Sequence, residues 1–352
     1  MKIERKTYRD GNLYPEAFNY LKSLPENIDY YKAHIERHPL SIYDLSIQRV
    51  MKALAEILDE IERINHALFD AEGRLDYSLA KLPILQKELL EALMAHIDDC
   101  YRILKVLHPY DSSNQVKYND KWLDKAKNPA KKDFENNIKD YKNLLSPIVN
   151  KIKHNGGQLR SMVIYSRDRR IVRKPIRKKI QIFPRDARIV GYFLEGVHPN
   201  GNIGPDIEIH PNGKSAISLN RDLRYHFANL YRIGRHLKKA IVKTVRHVET
   251  IDLPYPGSIR HTSCQYDLES IAEKISNLPS LFYQNEFDKE TPNIQFYRNP
   301  KDTELILETP GPRYMNWEGE VAISCEMQVD PVSRTYQLPY WQNQSNSRSV
   351  MR

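Results

Sequence analysis

The chain has 352 residues, of which 40% are hydrophobic and 28% charged, and its formal net charge is +9 at pH 7. Two ordinary domains fit this length, and the composition is that of a soluble globular protein rather than a disordered one. The first ten residues carry charges without an apolar run behind them, and no run of about 18 apolar residues occurs later. We therefore expect neither a secretory signal peptide nor a membrane-spanning helix.

Cysteine usage favours a reducing compartment. Cys100, Cys264 and Cys325 are odd in number, scattered and without metal-ligand spacing. Such usage is typical of a reduced cytoplasmic protein, so we expect a cytoplasmic location and no cofactor.

Charge is distributed unevenly along the chain. Residues 151–250 contain 22 Lys and Arg against 7 Asp and Glu, whereas the remaining residues contain 32 against 38. A basic middle between acidic flanks is typical of a protein with a polyanionic partner, most often nucleic acid. A surface that docks an acidic region of another protein is the alternative explanation.

The N-terminal part begins with short helical pieces that prolines interrupt, the last of them Pro39. Ser41-Ile-Tyr-Asp44 then has the spacing of a capping box, in which side-chain oxygens accept hydrogen bonds from free amides at a helix start. From Ile47 to Leu68 apolar residues recur at steps of three and four. This pattern predicts a long amphipathic helix.

Two further helices follow. The second begins near Pro83 and ends before Pro109, and the polar residues 110–130 predict a loop. The third runs to His154 and ends at Asn155-Gly156-Gly157, because Asn and Gly tolerate the left-handed conformation that closes a helix. These elements predict a helical bundle.

Beyond Gly157 the apolar period changes to two, which predicts short strands and hairpins bounded by prolines. Asp206-Ile-Glu-Ile-His210 alternates as a strand does, and Pro211-Asn-Gly213 follows as a hairpin turn. A long helix is predicted from near Asn220, with its apolar stripe opposite a basic ridge. The ridge consists of Arg232, Arg235, Lys239, Lys243 and Arg246.

A proline-bracketed linker leads to the C-terminal part, which predicts one helix over Asp267–Leu281 and several short strands. We predict an α+β protein, in which an N-terminal α-helical bundle is joined to a basic β-hairpin-rich insertion, a long basic helix and a small mixed C-terminal region. The predicted divisions are a bundle over 1–157, the insertion and basic helix over 158–250, the C-terminal region over 251–341 and a disordered tail over 342–352.

The glycine-rich phosphate loop, the dinucleotide fingerprint and the nucleophile elbow are absent from the sequence. We therefore do not expect nucleotide hydrolysis by the familiar routes. Two weak metal-ligand patterns occur. Asp206, Glu208 and His210 would share one strand face, and His34 and His38 one helix face. The ordinary explanations are a polar outer strand face and a surface helix end before Pro39, so we predict no metal site.

The end of the third helix, Asn150-Lys-Ile-Lys-His154, resembles the motif of the HEPN family. That motif is an Arg, usually a polar residue next, and a His four to six residues on. Val149 stands at the arginine position here and the polar Asn150 follows it, and the resemblance covers roughly the helical half. HEPN proteins are helical bundles found in RNA-cleaving toxins and phage-defence proteins. The resemblance implies RNA as partner, metal-independent cleavage involving Asn150 and His154, and a homodimer.

The alternative explanation for His154 and the preceding Lys153 is that cations favour the partially negative end of a helix. A literal Arg-x4-His match occurs at Arg221 to His226, again with a polar second residue, and Arg102 to His108 matches with one more residue.

Such a pair has a clear chemistry. Cleavage of RNA by internal transfer needs a base near the 2′-hydroxyl and a cation that stabilises charge on the phosphorus. The catalytic candidates are therefore His154, Asn150, Arg221 and His226. The alternative is ordinary packing of His226 and a phosphate contact by Arg221.

A basic hairpin is the second nucleic-acid candidate besides the ridge. Cations interleaved with apolar and aromatic residues suit a ribbon laid along a nucleic-acid backbone, although a charged edge strand also discourages aggregation. The cations are Arg167, Arg169, Arg170, Arg173, Arg177, Lys178 and Lys179.

Together these features predict a cytoplasmic protein that interacts with nucleic acid, RNA rather than DNA, without a cofactor or membrane. It is expected to be a HEPN-like ribonuclease or a degenerate relative acting in phage defence or a toxin system. The alternative is a non-enzymatic scaffold or subunit whose basic face docks an acidic protein.

Overall fold

The structure, a computed structural model, describes part of the chain and shows an α+β fold, as predicted. The described residues are 2–6, 13–24, 28–70, 78–166, 188–248, 267–279, 283, 286, 293–297, 305–307, 321–325 and 337–340. The predicted tail over 342–352 lies outside them. The helices are α1 Glu16–Leu21, α2 Tyr30–Ala33, α3 Pro39–Asp70, α4 Leu82–Val106, α5 Asn119–Lys125, α6 Lys131–His154, α7 Leu219–Val248 and α8 Leu268–Asn277. The strands are β1 Lys2–Lys6, β2 Leu159–Ser166, β3 Arg188–Val197, β4 Ile203–Pro205, β5 Ile217–Ser218, β6 Asn293–Tyr297, β7 Leu305–Leu307 and β8 Val321–Cys325.

The long helix α3 begins earlier than predicted, at Pro39, so the capping box at Ser41 to Asp44 is wrong. The imidazole Nδ1 of His38 accepts a hydrogen bond from the backbone N–H of Leu40 at 3.2 Å. Proline is favoured at the first helical position because its missing N–H would have no partner there. His38 therefore caps α3, and Ser41 lies inside the helix.

The bundle is built by α3, α4, α6 and α7, whose apolar stripes meet in one core. Helix α4 agrees with the predicted second helix. The predicted loop over 110–130, however, contains the helix α5. Trp122 and Leu123 of α5 are buried, and α5 packs against α4. A seven-residue helix was missed because two apolar residues in a polar stretch show no period. None of the described helices has the length and apolar character needed to cross a bilayer.

The end of α6 at His154 is confirmed. Gly156 follows with φ +66°, the left-handed region that glycine enters without strain. The backbone N–H groups of Asn155 and Gly157 both donate to the Lys151 carbonyl, at 3.1 and 2.9 Å. These bonds satisfy a helix-end carbonyl and turn the chain into β2.

The main sheet has the order β4-β3-β2-β8 with antiparallel neighbours, and β5 pairs with β3. Met162 at its centre is in register with Gly191 of β3 and Cys325 of β8. A Cβ on Gly191 would lie 2.4 Å from the Ile217 carbonyl oxygen, so only glycine lets β5 approach β3 there.

The strand predicted over residues 206–210 is wrong, because this segment is a turn that leads into a 3-10 helix over Pro211–Gly213. Asp206 Oδ1 accepts hydrogen bonds from the backbone N–H groups of Glu208 and Ile209, at 3.0 and 3.2 Å. A short acidic side chain that bonds its own downstream backbone stabilises a turn against a strand.

The ends of the chain are tied together in a way that the sequence did not predict. A second sheet has the order β1-β6-β7, in which N-terminal β1 pairs in parallel with β6. The C-terminal part also supplies β8 to the main sheet, and Leu268, Ile271 and Ile275 of α8 enter the core that the bundle shares. The predicted bundle, insertion and C-terminal region thus share one hydrophobic core.

Candidate nucleic-acid interface

Helix α7 carries eight Lys and Arg and one Asp. Its basic stripe, defined here as Arg232, Arg235, Lys239, Lys243 and Arg246, faces outward as predicted. All of these side chains are exposed except Arg232, which is half-buried. The twelve residues from Arg235 to Arg246 span about 16 Å of helix axis. The stripe is therefore a short straight row of cations.

Packing on the opposite side of α7 fixes the direction of the stripe, because a buried apolar face leaves the helix one orientation. The buried residues are Leu223, Phe227, Leu230, Leu237, Ile241 and Val245.

Acidic side chains flank the stripe on both sides. Lys238 pairs with Glu16 of α1 at 3.1 Å, and Lys243 pairs with Asp133 of α6 at 2.5 Å. Arg235, Lys239 and Arg246 form no ion pair with a described residue. The charge of these three cations remains available to an external partner.

His236 lies on α7 beside Arg235, and its pKa reflects the positive charge of the stripe. Burial first, and then the neighbouring Lys239, Arg232 and Arg235 cations, lower its pKa to about 4, against a weaker opposite effect of Glu16. A second positive charge is disfavoured there because the nearby cations repel it. His236 is accordingly neutral at pH 7.

The hairpin cations Arg167, Arg169, Arg170, Arg173, Arg177, Lys178 and Lys179 lie outside the described residues. Only the base of this hairpin is described. There Arg160 of β2 pairs with Glu195 of β3, with Nε and Oε2 2.8 Å apart.

His226 of the Arg-x4-His match is completely buried. Its Nδ1 lies 2.9 Å from the hydroxyl of Tyr141 in α6, and its Nε2 lies 3.2 Å from Oδ2 of Asp222, one turn earlier in α7. Packing, the alternative weighed for this histidine, is what the structure shows. An enclosed imidazole does not reach a phosphate, so this geometry does not support a catalytic role for His226.

Asp222 is the centre of this buried polar cluster. Its Oδ2 accepts hydrogen bonds from the Tyr192 hydroxyl at 2.8 Å and from Gln86 Nε2 at 3.0 Å. Burial raises the pKa of Asp222, but the interactions with His226, Tyr192 and Arg221 outweigh burial and hold the pKa below its ordinary value. The cluster joins α4, α6, β3 and α7. The one signal for it in the sequence is the Asp222–His226 spacing of four on a helix.

Arg221 is 8% exposed, and its guanidinium carbon lies 5.5 Å from the centre of the Tyr225 ring. The guanidinium is therefore packed inside the structure rather than presented to solvent. In the second match, Arg102 to His108, both residues make contacts within the fold. Arg102 pairs with Glu36, and the carbonyl of His108 accepts a hydrogen bond from His34 Nε2 at 2.9 Å.

His154 and Asn150 are both exposed, one helical turn apart at the end of α6. Asn150 Nδ2 donates to Ser146 Oγ at 3.3 Å. His154 follows Tyr141 by thirteen residues, about 20 Å along the axis. The structure does not bring the four catalytic candidates together.

Asp206, Glu208 and His210, the first of the two weak metal-ligand patterns, bind other groups of the protein. The Lys151 ammonium lies 2.7 Å from a carboxylate oxygen of each of Asp206 and Glu208, and His210 Nε2 accepts from the Leu194 N–H at 2.9 Å.

His34 and His38 do not share a helix face, because α2 ends at Ala33 and Ile35 has φ +55°. Within the described ranges, no three His, Cys, Asp or Glu residues are grouped so that they could hold a metal ion.

Comparison of the chain with family models, with curated proteins and with solved structures finds no match. The HEPN resemblance therefore rests on the residues that surround His154 and stays a prediction.

Proposed function

We propose that this protein binds nucleic acid through the phosphate backbone, along the basic stripe of α7. The observation that carries the proposal is the row of exposed cations Arg235, Lys239 and Arg246 on a helix whose other face is locked into the core. RNA is the partner that the HEPN resemblance favours.

The geometry of the stripe suits backbone binding rather than base reading. Cations at steps of three and four recur about every 5 to 6 Å along the axis, on a rigid support. Contacts to phosphates fix position but carry no sequence information. Binding should therefore tolerate many sequences and weaken steeply as salt rises, because each neutralised phosphate releases counterions.

The test compares two double charge reversals that change the net charge equally. Lys239→Glu with Arg246→Glu alters the stripe, whereas Lys87→Glu with Lys121→Glu alters exposed lysines on α4 and α5. The stripe variant is expected to bind labelled single-stranded RNA at least tenfold more weakly, with the salt slope reduced by about 1.4 for two lost phosphate contacts.

The control variant should bind RNA like the wild type. Equal affinities of the two variants, or wild-type retention that salt does not weaken, would contradict the proposal. That result would favour the alternative, a subunit that docks an acidic protein.

Ribonuclease activity is a finer proposal that the resemblance implies, and we propose His154 as its base. A base must reach the 2′-hydroxyl. His154 is exposed, whereas His226 is enclosed. Labelled single-stranded RNA and transfer RNA, incubated with chelator, should be cut by the wild type and by Arg221→Ala but not by His154→Ala. Loss of cleavage only in a folded His226→Ala variant would overturn this assignment.

A further inference from the structure

The cations on the outward side of α7 differ in whether a carboxylate of the same chain neutralises them. Arg235, Lys239 and Arg246, which form no ion pair with a described residue, lie within about 40° of one another around the helix axis. Lys238 lies about 60° to one side of this row and Lys243 about 40° to the other. Both of these outer lysines form ion pairs. The free charge of α7 is thus confined to a central row.

Each outer lysine is neutralised from a neighbouring helix. Lys238 Nζ lies 3.1 Å from Oε2 of Glu16 on α1, and Lys243 Nζ lies 2.5 Å from Oδ2 of Asp133 in the first turn of α6. The Asp133 side chain is 63% exposed and that of Glu16 is half-buried, so both carboxylates also face an anion that approaches from solvent. Glu16 and Asp133 are called the acidic borders below.

The fold holds both borders beside α7. Next to Glu16, Pro15 packs against Gly234 so closely that a Cβ on this glycine would lie 2.5 Å from the Pro15 Cβ. On the other side, Asn128 precedes α6 and donates from its buried Nδ2 to Thr244 Oγ1 of α7 at 3.3 Å. The backbone that carries each carboxylate therefore stays next to the central row.

The central row is narrow compared with a double helix. At a side-chain radius of about 5 to 6 Å, an angle of 40° corresponds to an arc of about 4 Å. The two phosphate rows of a double helix are separated by a groove, and even the narrow minor groove of B-form DNA is about 6 Å wide. An RNA duplex likewise presents two rows.

The second row of a duplex therefore falls outside the free cations. When one row lies on α7, the other lies toward a neighbouring helix, whose axis is about 8 to 10 Å away. The groups that it meets there are the carboxylates of the acidic borders, and like charges brought together oppose binding.

We propose that Glu16 and Asp133 are specificity-determining residues, which limit the stripe to one phosphate row and so favour single-stranded nucleic acid over a double helix. The inference rests on the proposed function, because it concerns which nucleic acid the stripe holds. A single strand follows the central row alone, whereas a duplex also brings its second strand against a carboxylate.

The test removes both carboxylates with Asp133→Asn and Glu16→Gln. The matched control is Asp59→Asn with Glu62→Gln on α3, which changes the net charge equally and releases Lys274 of α8 from ion pairs of 2.5 and 3.5 Å. The affinity of each protein is measured for one labelled RNA strand, alone and annealed to its complement, at the same salt concentration.

We expect the wild type to bind the single strand at least fivefold more tightly than the duplex. Relative to the control variant, the border variant should bind the duplex at least fivefold more tightly and the single strand less than twofold more tightly. The control variant should keep the wild-type ratio of the two affinities.

The stripe variant Lys239→Glu with Arg246→Glu separates this inference from the proposed function. If it binds the single strand like the wild type, the proposed function is overturned, and this inference with it. If it binds weakly but the border variant keeps the wild-type ratio, or the wild type holds the duplex as tightly as the single strand, only this inference is overturned. Should Glu16→Gln disturb the packing of α1, Asp133→Asn and Asp59→Asn as single variants give the same comparison.

Discussion

At the scale of single residues, a buried polar cluster around Asp222 joins four elements. His226 lies between the Tyr141 hydroxyl and the Asp222 carboxylate, and Asp222 also accepts hydrogen bonds from Tyr192 and Gln86. A buried charge that loses its partners is costly, whereas a satisfied cluster holds its elements in a single arrangement. We therefore infer that the Arg-x4-His spacing in α7 serves the packing of four elements.

Removing the charge at the centre of this cluster should destabilise the fold. Asp222→Asn is expected to lower the free energy of unfolding by about 2 to 4 kcal/mol, because the amide presents a donor where donors already converge. Tyr192→Phe removes one hydrogen bond and should cost about 1 kcal/mol. Urea unfolding at pH 7 measures both. Equal and small losses would mean that the cluster contributes little.

His96 should make stability depend on acid. It is completely buried in α4, its Nδ1 lies 3.0 Å from Ser46 Oγ, and burial lowers its pKa to about 4, with a smaller effect of Arg49. The unfolded chain binds this proton below about pH 6.5 and the folded chain only near pH 4, so stability falls as pH drops through that window.

We expect His96 to account for about 3 kcal/mol of the loss in unfolding free energy between pH 7 and pH 4. Urea unfolding of wild type and His96→Gln across this range isolates the effect, since the other titrating groups are common to both. Parallel pH profiles of the two proteins would contradict the prediction.

At the scale of elements, the start of α3 shows how a local pattern can mislead. Ser41 and Asp44 have the spacing of a capping box, yet His38 accepts the hydrogen bond from Leu40 and Pro39 begins the helix. Because Pro39 is the first helical residue, the free amide groups lie about one turn before those that a cap at Ser41 would bind.

Two alanine substitutions separate the caps. His38→Ala should lower the free energy of unfolding by about 1 kcal/mol, the usual effect of losing an N-cap. Ser41→Ala, inside the helix, should change it by less than about 0.5 kcal/mol. Thermal or urea unfolding compares them. A larger loss for Ser41→Ala would restore the capping box.

At the scale of the whole molecule, the two ends of the chain complete structures begun elsewhere. N-terminal β1 pairs with β6, β8 pairs with β2, and α8 packs into the bundle core. A chain that stops at residue 250 would expose the core against α8 and leave the buried Arg224 without three of its carbonyl acceptors.

Truncation tests whether the C-terminal part and the bundle unfold as one unit. A chain of residues 1–250 is expected to lose cooperative unfolding, because it exposes to water the apolar core surface that Leu268, Ile271 and Ile275 of α8 cover. A chain of residues 1–341, which lacks only the predicted tail, should unfold like the full chain. Circular dichroism during urea titration measures both. A cooperative 1–250 fragment with the full-length midpoint would show that the C-terminal part is a separate domain.

The features that depend on neighbours along the chain could be predicted from the sequence. The steps of three and four residues predicted α3, α4, α6 and α7, and Asn155 to Gly157 predicted the end of α6. The basic stripe is exposed from Arg235 to Arg246, as expected. Each follows from local physics, since helix periodicity and glycine conformations act within a few residues.

The remaining features depend on how distant parts of the chain pack together. Whether His226 and Arg221 face solvent, which residue caps α7 and how β1 finds β6 depend on residues that are far apart in sequence. Glu286 lies 68 residues from the Ser218 amide that it accepts from. No spacing rule encodes such a contact, because burial and long-range partners are set by how the whole core closes.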